Sequence, residues 1–548
     1  MRSTIKIVIL LFFICTSMSG ASFPDMEKYM RQHALIWEQL PMQWNEGAFL
    51  GNGLVGMMVY ADSTLNALVF HLGRPDVTDH RKAPYRKTSI GTEEADKMVD
   101  FCRLDVGKML LFPEGKILSG TFYLDIYNAE LTGHLKTDKG DLTFHAYTPQ
   151  PEEVNIVEVS SGVPYRWKGI PGNPCSPRIR VFPHLKEKLK YKDNPAPVVN
   201  QKDKEGSWVQ SLLAGGDYAT YWKEVPGGKS RSVLYVSTAN EVPASSLSLA
   251  KAMKTVEATQ ITGTKLLKQK TRQWWNAYHE RSFLSIPDKK LENFYFIQMY
   301  KLATCSHPDG PAMDVMGTFF KLSPWPSFWW NLNIQLTYMP IGPANRMEQG
   351  KNFQRLMDEV FPSLVRSIEP CKIGDYTWAL QNYYMYLRYA GADWQDIKQQ
   401  VVPKALDAFA VFDKILCYKE NTWHLTHIES PEYEGFQKYN DSNYGLASLS
   451  WLLQTLIACH DRTSSTHPDY ARWKEILTRL APYPTNENGL MIAANKPLEK
   501  SHRHYSHLLA FYPFRLLHPD VPENRKLLEK SIEHWLSLED GKGLAGYS

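Results

Sequence analysis

Residues 446–457, Leu-Ala-Ser-Leu-Ser-Trp-Leu-Leu-Gln-Thr-Leu-Ile, carry a stripe of large apolar side chains at helical spacing. Leu446, Leu449, Leu453 and Leu456 recur at intervals of three and four, which predicts a helix with one buried face. Residues 406–416 repeat the pattern. We expect eight or nine helical stretches between residues 250 and 540, joined by long loops. Repeated helix–loop–helix units of this size favour an (α/α) toroid whose loops at one rim carry the function.

The preceding part of the chain has a different texture. Residues 56–60, 67–71, 122–126 and 233–237 are short runs rich in β-branched and aromatic residues, separated by Gly, Pro, Asn and Asp. Such runs predict strands. Many short strands without intervening helices indicate a β-sandwich between about residues 35 and 265.

Length and composition bound the class of protein. The chain has 548 residues, 43% of them hydrophobic, and a formal net charge of +4. Two to four soluble domains fit this length, and so weak a charge gives no argument for nucleic acid or an anionic membrane as partner. Aromatic residues make up 12%. That content fits either a carbohydrate-active protein or a helical core with bulky packing.

The N-terminus predicts export. Arg2 and Lys6 precede an apolar run at residues 7–14, and Ser19 and Ala21 suit a cleavage site. We therefore predict a signal peptide at residues 1–21 and a periplasmic or extracellular protein. No later apolar run is long enough for a membrane span. The six later cysteines lack metal-ligand spacing and are either disulfides or buried thiols.

Residues 44–56, Trp-Asn-Glu-Gly-Ala-Phe-Leu-Gly-Asn-Gly-Leu-Val-Gly, contain a superficial GxGxxG pattern. A strand rather than a helix follows, which argues against a dinucleotide site. We expect a tight turn in the β domain that reaches toward the second domain.

Two segments offer groups for hydrolysis. In Trp325-Pro-Ser-Phe-Trp-Trp-Asn-Leu-Asn-Ile-Gln335, Asn331 and Asn333 alternate around Leu332, so an extended backbone would point both amides the same way. They could orient a water or bind sugar hydroxyls, or else serve as a helix cap and a loop amide. Glu432, in a loop directly after a proline, suits a general acid with a pKa raised by burial. The alternative is a glutamate that faces solvent.

A third segment, Ser501-His-Arg-His-Tyr-Ser-His507, concentrates polar rings. His502, His504 and His507 do not match a zinc signature. With Arg503, they suit hydrogen bonding to a polyhydroxylated ligand, and the alternative is a polar helix start packed against its neighbours. We predict neither a cofactor nor a metal.

Together these segments resemble glycoside hydrolase family 95, whose members remove terminal α-L-fucose or α-L-galactose with inversion. The resemblance implies a β-sandwich at residues 22–245, a helical linker at 246–285 and an (α/α)6 barrel at 286–548. It also implies that Glu432 is the general acid and that Asn331 and Asn333 hold the attacking water. Trp378, His502 and His504 would contact the sugar of a glycan substrate.

Two positions depart from the family's pattern. Trp329 stands where the family usually has a histidine, so we expect it to alter how the sugar is recognised. The chain ends at residues 543–548, which resemble the start of a segment that precedes the aspartate supporting the asparagine pair. We therefore expect the barrel to be truncated and the base to be missing.

Two alternatives remain open from the sequence. A sugar-binding protein without turnover would bind sugar but not hydrolyse it. A lyase or phosphorylase on the same barrel would require a uronate or a phosphate pocket, respectively. Release of free sugar with inverted configuration, independent of phosphate, would exclude both of these enzymes.

Overall fold

The computed structural model describes residues 25–79, 81, 102–435, 437–541 and 543. The predicted signal peptide lies outside these residues, as does most of the segment 543–548. Twenty strands are present in the described part: β1 (Leu35–Trp37), β2 (Ala48–Gly51), β3 (Gly56–Asp62), β4 (Ala67–Gly73), β5 (Lys108–Pro113), β6 (Ile117–Asp125), β7 (Glu130–Thr137), β8 (Asp141–Tyr147), β9 (Val154–Ser161), β10 (Tyr165–Ile170), β11 (Val198–Gln201), β12 (Glu205–Ser211), β13 (Asp217–Gly228), β14 (Arg231–Glu241), β15 (Leu416–Lys419), β16 (Thr422–Leu425), β17 (Ile428–Glu429), β18 (Lys438–Tyr439), β19 (Thr485–Asn486) and β20 (Gly489–Leu490).

The α-helices of the described residues are concentrated in the second half of the chain. They are α1 (Met26–Met30), α2 (Pro177–Val181), α3 (His184–Lys188), α4 (Ser248–Thr262), α5 (Thr264–Glu280), α6 (Lys289–Cys305), α7 (Asn333–Tyr338), α8 (Lys351–Glu359), α9 (Phe361–Ser367), α10 (Ile373–Tyr389), α11 (Trp394–Gln400), α12 (Val402–Phe412), α13 (Asn443–Arg462), α14 (Tyr470–Thr478) and α15 (Pro522–Ser537).

The first fourteen strands form two antiparallel sheets. One has the order β1-β6-β7-β8-β9-β14-β13-β12-β11 and the other has the order β10-β5-β4-β3-β2. Side chains alternate along β7, where Leu131 and Leu135 are buried while Thr132 and His134 are exposed. Aromatic rings join the sheets: Phe70 of β4 lies 5.5 Å from Phe144 of β8. The N-terminal part is therefore sandwich-like, as the run of short strands predicts.

The helical part buries the predicted stripe. Leu446, Leu449, Leu453 and Leu456 lie on α13 and are all buried, which confirms the interpretation of their spacing. Helix α10 packs against both α12 and α13. Burial of apolar faces between neighbouring helices supplies most of the stability of such helices.

Helix α6 begins directly after Asp288. Asp288 caps it by accepting hydrogen bonds from the main-chain nitrogens of Lys290 and Leu291. The helix contributes Phe296 and Tyr300 to the core of the β domain and Met299 to that of the helical part. It therefore couples the two parts of the molecule.

The glycine-rich segment at residues 44–56 makes the predicted turn toward the second domain. Gly53 has φ of +82°, and its main-chain nitrogen donates to the carbonyl oxygen of Thr304 at 3.0 Å. A Cβ at Gly53 would lie 2.3 Å from the carbonyl carbon of Ser306. The close approach of two backbones therefore requires glycine there.

The six cysteines after the predicted signal peptide are free thiols in this structure. Burial raises the pKa of five of them, to about 12 for Cys102, Cys175 and Cys371 and above the ordinary value for Cys305 and Cys459. Of the two alternatives left by the sequence, unpaired thiols are the one observed. Among the described residues, no helix is both long and apolar enough to cross a membrane.

Candidate active site

Three separate segments of the chain meet around a cavity of about 370 Å³. This volume falls within the range of about 300–1,000 Å³ typical of small-molecule sites. The cavity is lined by Val315, Ser323, Trp325, Trp329, Asn331, Leu332, Asn333, Glu432, Arg503 and His504. The structure thus brings together five of the seven residues that were predicted from the sequence to form the site.

Asn331 and Asn333 do not lie on extended backbone, so that expectation was wrong. Leu332 between them has φ of +59° and ψ of −50°, and the main-chain nitrogen of Asn333 donates to the carbonyl oxygen of Asn331 at 2.6 Å. This is a γ-turn of the rarer, strained hand. Asn333 then begins α7. Both residues still line the cavity, with Asn331 buried and Asn333 exposed.

Glu432 lies in the turn between β17 and β18 and has φ of +55°, which is uncommon for a residue with a side chain. Its carboxylate forms an ion pair with Arg503, and its Oε2 lies 3.3 Å from Nε2 of His504. Burial raises the pKa of Glu432, but His504, Arg503 and His502 lower it by more, so the pKa lies below its ordinary value. The expectation of a raised pKa was therefore wrong, because the basic groups outweigh burial.

Several polar atoms around the cavity have no hydrogen-bond partner within the described part of the chain. They include the indole nitrogen of Trp329, Oδ1 of Asn331 and Nδ1 of His504, all on buried residues. Buried polar groups are normally paired, and an unpaired one costs about 1–3 kcal/mol. These atoms have almost no accessible surface and so lie within the cavity wall. The polar groups more open to the cavity are the amide of Asn333, the carboxylate of Glu432 and the guanidinium of Arg503. The arrangement is suited to a ligand rich in hydroxyl groups, which donate and accept alike.

His502 and Trp378 are not among the residues that line this cavity. Nε2 of His502 lies 2.8 Å from the carbonyl oxygen of Pro431, next to Glu432, and its ring stacks on that of His504 at 5.1 Å. Burial lowers the pKa of His502 to about 4. Trp378 is buried in α10, with its ring 6.3 Å from that of Tyr505. These contacts put His502 and Trp378 behind the segments that form the cavity.

A second carboxyl group, Asp375, was missed by sequence reasoning. Its Oδ1 accepts a hydrogen bond from the hydroxyl of Tyr444 at 2.6 Å, and its carbonyl oxygen accepts one from Gln335 of α7 at 2.8 Å. Burial raises the pKa of Asp375 to about 7, and the charges of Glu429 and Glu432 act in the same direction. The one sequence signal that could have identified Asp375 is its position three residues before Trp378.

Comparison with solved structures bears on the fold. The chain is similar to a protein described as a kojibiose phosphorylase from the human microbiome, with 9% identity and a TM-score of 0.54 over 81% of this chain and 67% of that one. This likeness shows a shared fold. A bacterial glucoamylase complexed with acarbose has 9% identity and a TM-score of 0.41 over 81% of this chain and 69% of that one. A family GH92 α-mannosidase from Bacteroides thetaiotaomicron has 8% identity and a TM-score of 0.32 over 79% of this chain and 61% of that one.

Comparison of sequences identifies the class as glycoside hydrolase. Residues 370–545 match the model of the glycosyl hydrolase family 95 catalytic domain. That segment includes Glu432, Arg503 and His504 of the cavity. This match confirms, for residues 370–545, the family resemblance that the motifs suggested. No curated protein matches the chain.

Proposed function

We propose that the protein is an exo-acting, inverting glycoside hydrolase that releases a terminal α-L-fucosyl or α-L-galactosyl residue from a glycan. The observation that carries this proposal is the meeting of Glu432 with the amides of Asn331 and Asn333 around one cavity. Inversion requires an acid on one side of the scissile bond and an activated water on the other, with a gap of roughly 6.5–9.5 Å between the acid and base groups. The amides hold the water and Glu432 protonates the glycosidic oxygen.

The proposal extends to the surroundings of the site. His502 positions His504 and the turn that carries Glu432, and Trp378 supports the sugar pocket from α10. The domain division at residues 22–245, 246–285 and 286–548, the (α/α)6 arrangement of the last of these and export directed by residues 1–21 belong to the same proposal. The packing of α10 with α12 and α13 supports the helical arrangement.

The test is hydrolysis by the wild-type protein and by Glu432→Gln. A general acid contributes about 10²–10⁴-fold to the rate, so we expect that loss on a fucosylated oligosaccharide such as 2′-fucosyllactose. On α-L-fucosyl fluoride, whose leaving group needs little protonation, the loss should be much smaller. Glu434→Gln, two residues away on a surface ion pair with Lys496, is the matched control. Equal losses on both substrates would contradict the acid role.

The structure also favours a second candidate, a sugar-binding protein without turnover. Glu432 is held as a carboxylate by Arg503 and His504, and an ionised carboxylate is a strong acceptor for sugar hydroxyls but carries no proton to donate. Isothermal titration with L-fucose, L-galactose and 2′-fucosyllactose distinguishes the candidates. Binding of intact 2′-fucosyllactose without release of fucose over a day would favour the binding protein.

A further inference from the structure

The mouth of the cavity has an aromatic wall. Trp325 is 43% exposed and lines the cavity, whereas Trp329 beside it is 5% exposed. The two indoles meet edge to face, with their centroids 5.0 Å apart and their planes at 82°. Trp329 and Asn331 therefore lie deeper, and Trp325 presents indole surface nearer to solvent.

The β domain holds this wall from behind. Arg178 of α2 is buried, and its guanidinium carbon lies 4.9 Å from the ring centroid of Trp325. Nη1 of Arg178 donates to the carbonyl oxygen of Pro324 at 2.5 Å. The same guanidinium carbon lies 4.9 Å from the ring centroid of Phe182. A buried guanidinium is costly unless it is paired, so the contacts with Pro324 and Trp325 stabilise Arg178 and tie the β domain to the loop that carries the indole.

A second arginine of the β domain anchors the same loop. The main-chain nitrogen of Arg103 donates to the carbonyl oxygen of Pro326 at 2.8 Å. Its Nη1 donates to Asp314 at 3.1 Å and to the carbonyl oxygen of Gly317 at 2.6 Å. The loop from Asp314 to Pro326 is thus fixed at several points, and a fixed wall loses little entropy when a ligand binds.

We propose that Trp325 forms a leaving-group subsite in which its indole stacks on the pyranose ring attached to the terminal sugar, with Arg178 as its positioning residue. This inference rests on the proposed function. In an exo-acting site, the terminal sugar occupies the deep, polar end of the cavity, where Trp329, Asn331 and His504 lie. The ring on the other side of the scissile bond then lies toward the mouth, where Trp325 offers the apolar face of its indole.

The experiment separates the two ends of the substrate. α-L-Fucosyl fluoride has no sugar in its leaving group, whereas 2′-fucosyllactose carries lactose there. Trp325→Ala should lower kcat/KM on 2′-fucosyllactose about tenfold, as expected for loss of an aromatic contact of roughly 1.4 kcal/mol, and change kcat/KM on the fluoride less than about twofold. Trp325→Phe should restore part of the loss. Leu322→Ala, in the same loop and equally exposed but outside the cavity lining, is the control.

Arg178→Met tests the positioning role. It should raise KM for 2′-fucosyllactose while leaving kcat and the fluoride reaction close to wild type. A parallel loss on both substrates by Trp325→Ala, or no loss on either, would overturn the subsite even though the enzyme is active. If the wild-type protein cleaves neither substrate, the proposed function fails and the subsite fails with it. Thermal unfolding of each variant shows whether a loss is due to misfolding instead, and Trp325→Phe then decides the question.

Discussion

An ion-pair cluster between the β domain and helix α5 leads to a quantitative prediction about stability. Glu130 of β7 accepts hydrogen bonds from Nε and Nη2 of Arg272 at 2.5 and 2.7 Å, and its Oε2 lies 2.9 Å from Nε2 of His145. Its side chain is 10% exposed. Burial raises the pKa of Glu130, but His145 and Arg272 lower it by more, from 4.5 to about 2. The perturbation is Glu130→Gln, which keeps the shape and removes the charge.

The lowered pKa of Glu130 makes its contribution to the stability of the protein depend on pH. A carboxyl group whose pKa is lower in the folded state adds stability above its unfolded pKa, and this contribution is lost as the pH falls toward the folded value. A shift from 4.5 to about 2 corresponds to about 3.4 kcal/mol at pH 7 and about 1.4 kcal/mol at pH 3. Arg272 is half exposed, so solvent screens its attraction to Glu130. The expected contribution is therefore about 2 kcal/mol at pH 7 and less than about 1 kcal/mol at pH 3.

Urea unfolding of wild type and Glu130→Gln at pH 7 and pH 3 measures the difference. We expect the variant to be less stable at pH 7 and nearly equal to wild type at pH 3. Glu205→Gln, which removes an exposed pair with Lys202, should change stability by less than about 0.5 kcal/mol at either pH. A loss in Glu130→Gln that is as large at pH 3 as at pH 7 would refute the electrostatic argument.

Two further predictions concern the site and the domain junction. Arg503→Met removes a cation that lowers the pKa of Glu432, so the alkaline limb of kcat/KM should move to higher pH, and an unmoved limb would show that the pair does not control the acid. Gly53→Ala should destabilise the protein by more than about 3 kcal/mol in thermal unfolding, because the new Cβ meets Ser306 as well as an unfavourable φ. Gly215→Ala, at φ of +97° with nothing within 4 Å, should cost only about 1–2 kcal/mol, and equal losses would show that the contact is unimportant.

Local sequence signals predicted the elements well. Asp288 marks the start of α6 because its side chain satisfies main-chain donors that it reaches within three residues. The leucine stripe of α13 likewise depends only on helical periodicity. Gly53 predicted a tight turn directed toward the second domain. Its contact partner, Thr304, is 251 residues away in the chain, so the sequence could not identify that contact.

The parts of the site that depend on distant contacts could not be predicted. Leu332 occupies a strained γ-turn that no propensity favours. The pKa of Glu432 depends on Arg503, 71 residues later in the chain, and burial alone would have moved it the other way. Asp375 acquires its raised pKa from burial and from neighbouring carboxylates that only the folded chain assembles.

The two candidate functions make opposite demands on Glu432, and pH therefore separates them. A general acid acts when it is protonated, so turnover falls as the pH rises through the pKa of Glu432. A binding site that uses the carboxylate to accept hydroxyl hydrogen bonds is strongest when Glu432 is ionised, so affinity rises over the same range.

Because Arg503 and His504 lower that pKa, ionised Glu432 predominates at neutral pH. For the hydrolase to work there, the arriving sugar must weaken the pair with Arg503 and return a proton to Glu432. Proton uptake on binding L-fucose, measured by calorimetry in buffers of different ionisation enthalpy, should then be positive in the hydrolase. No uptake, with affinity that rises with pH, would support the binding protein instead.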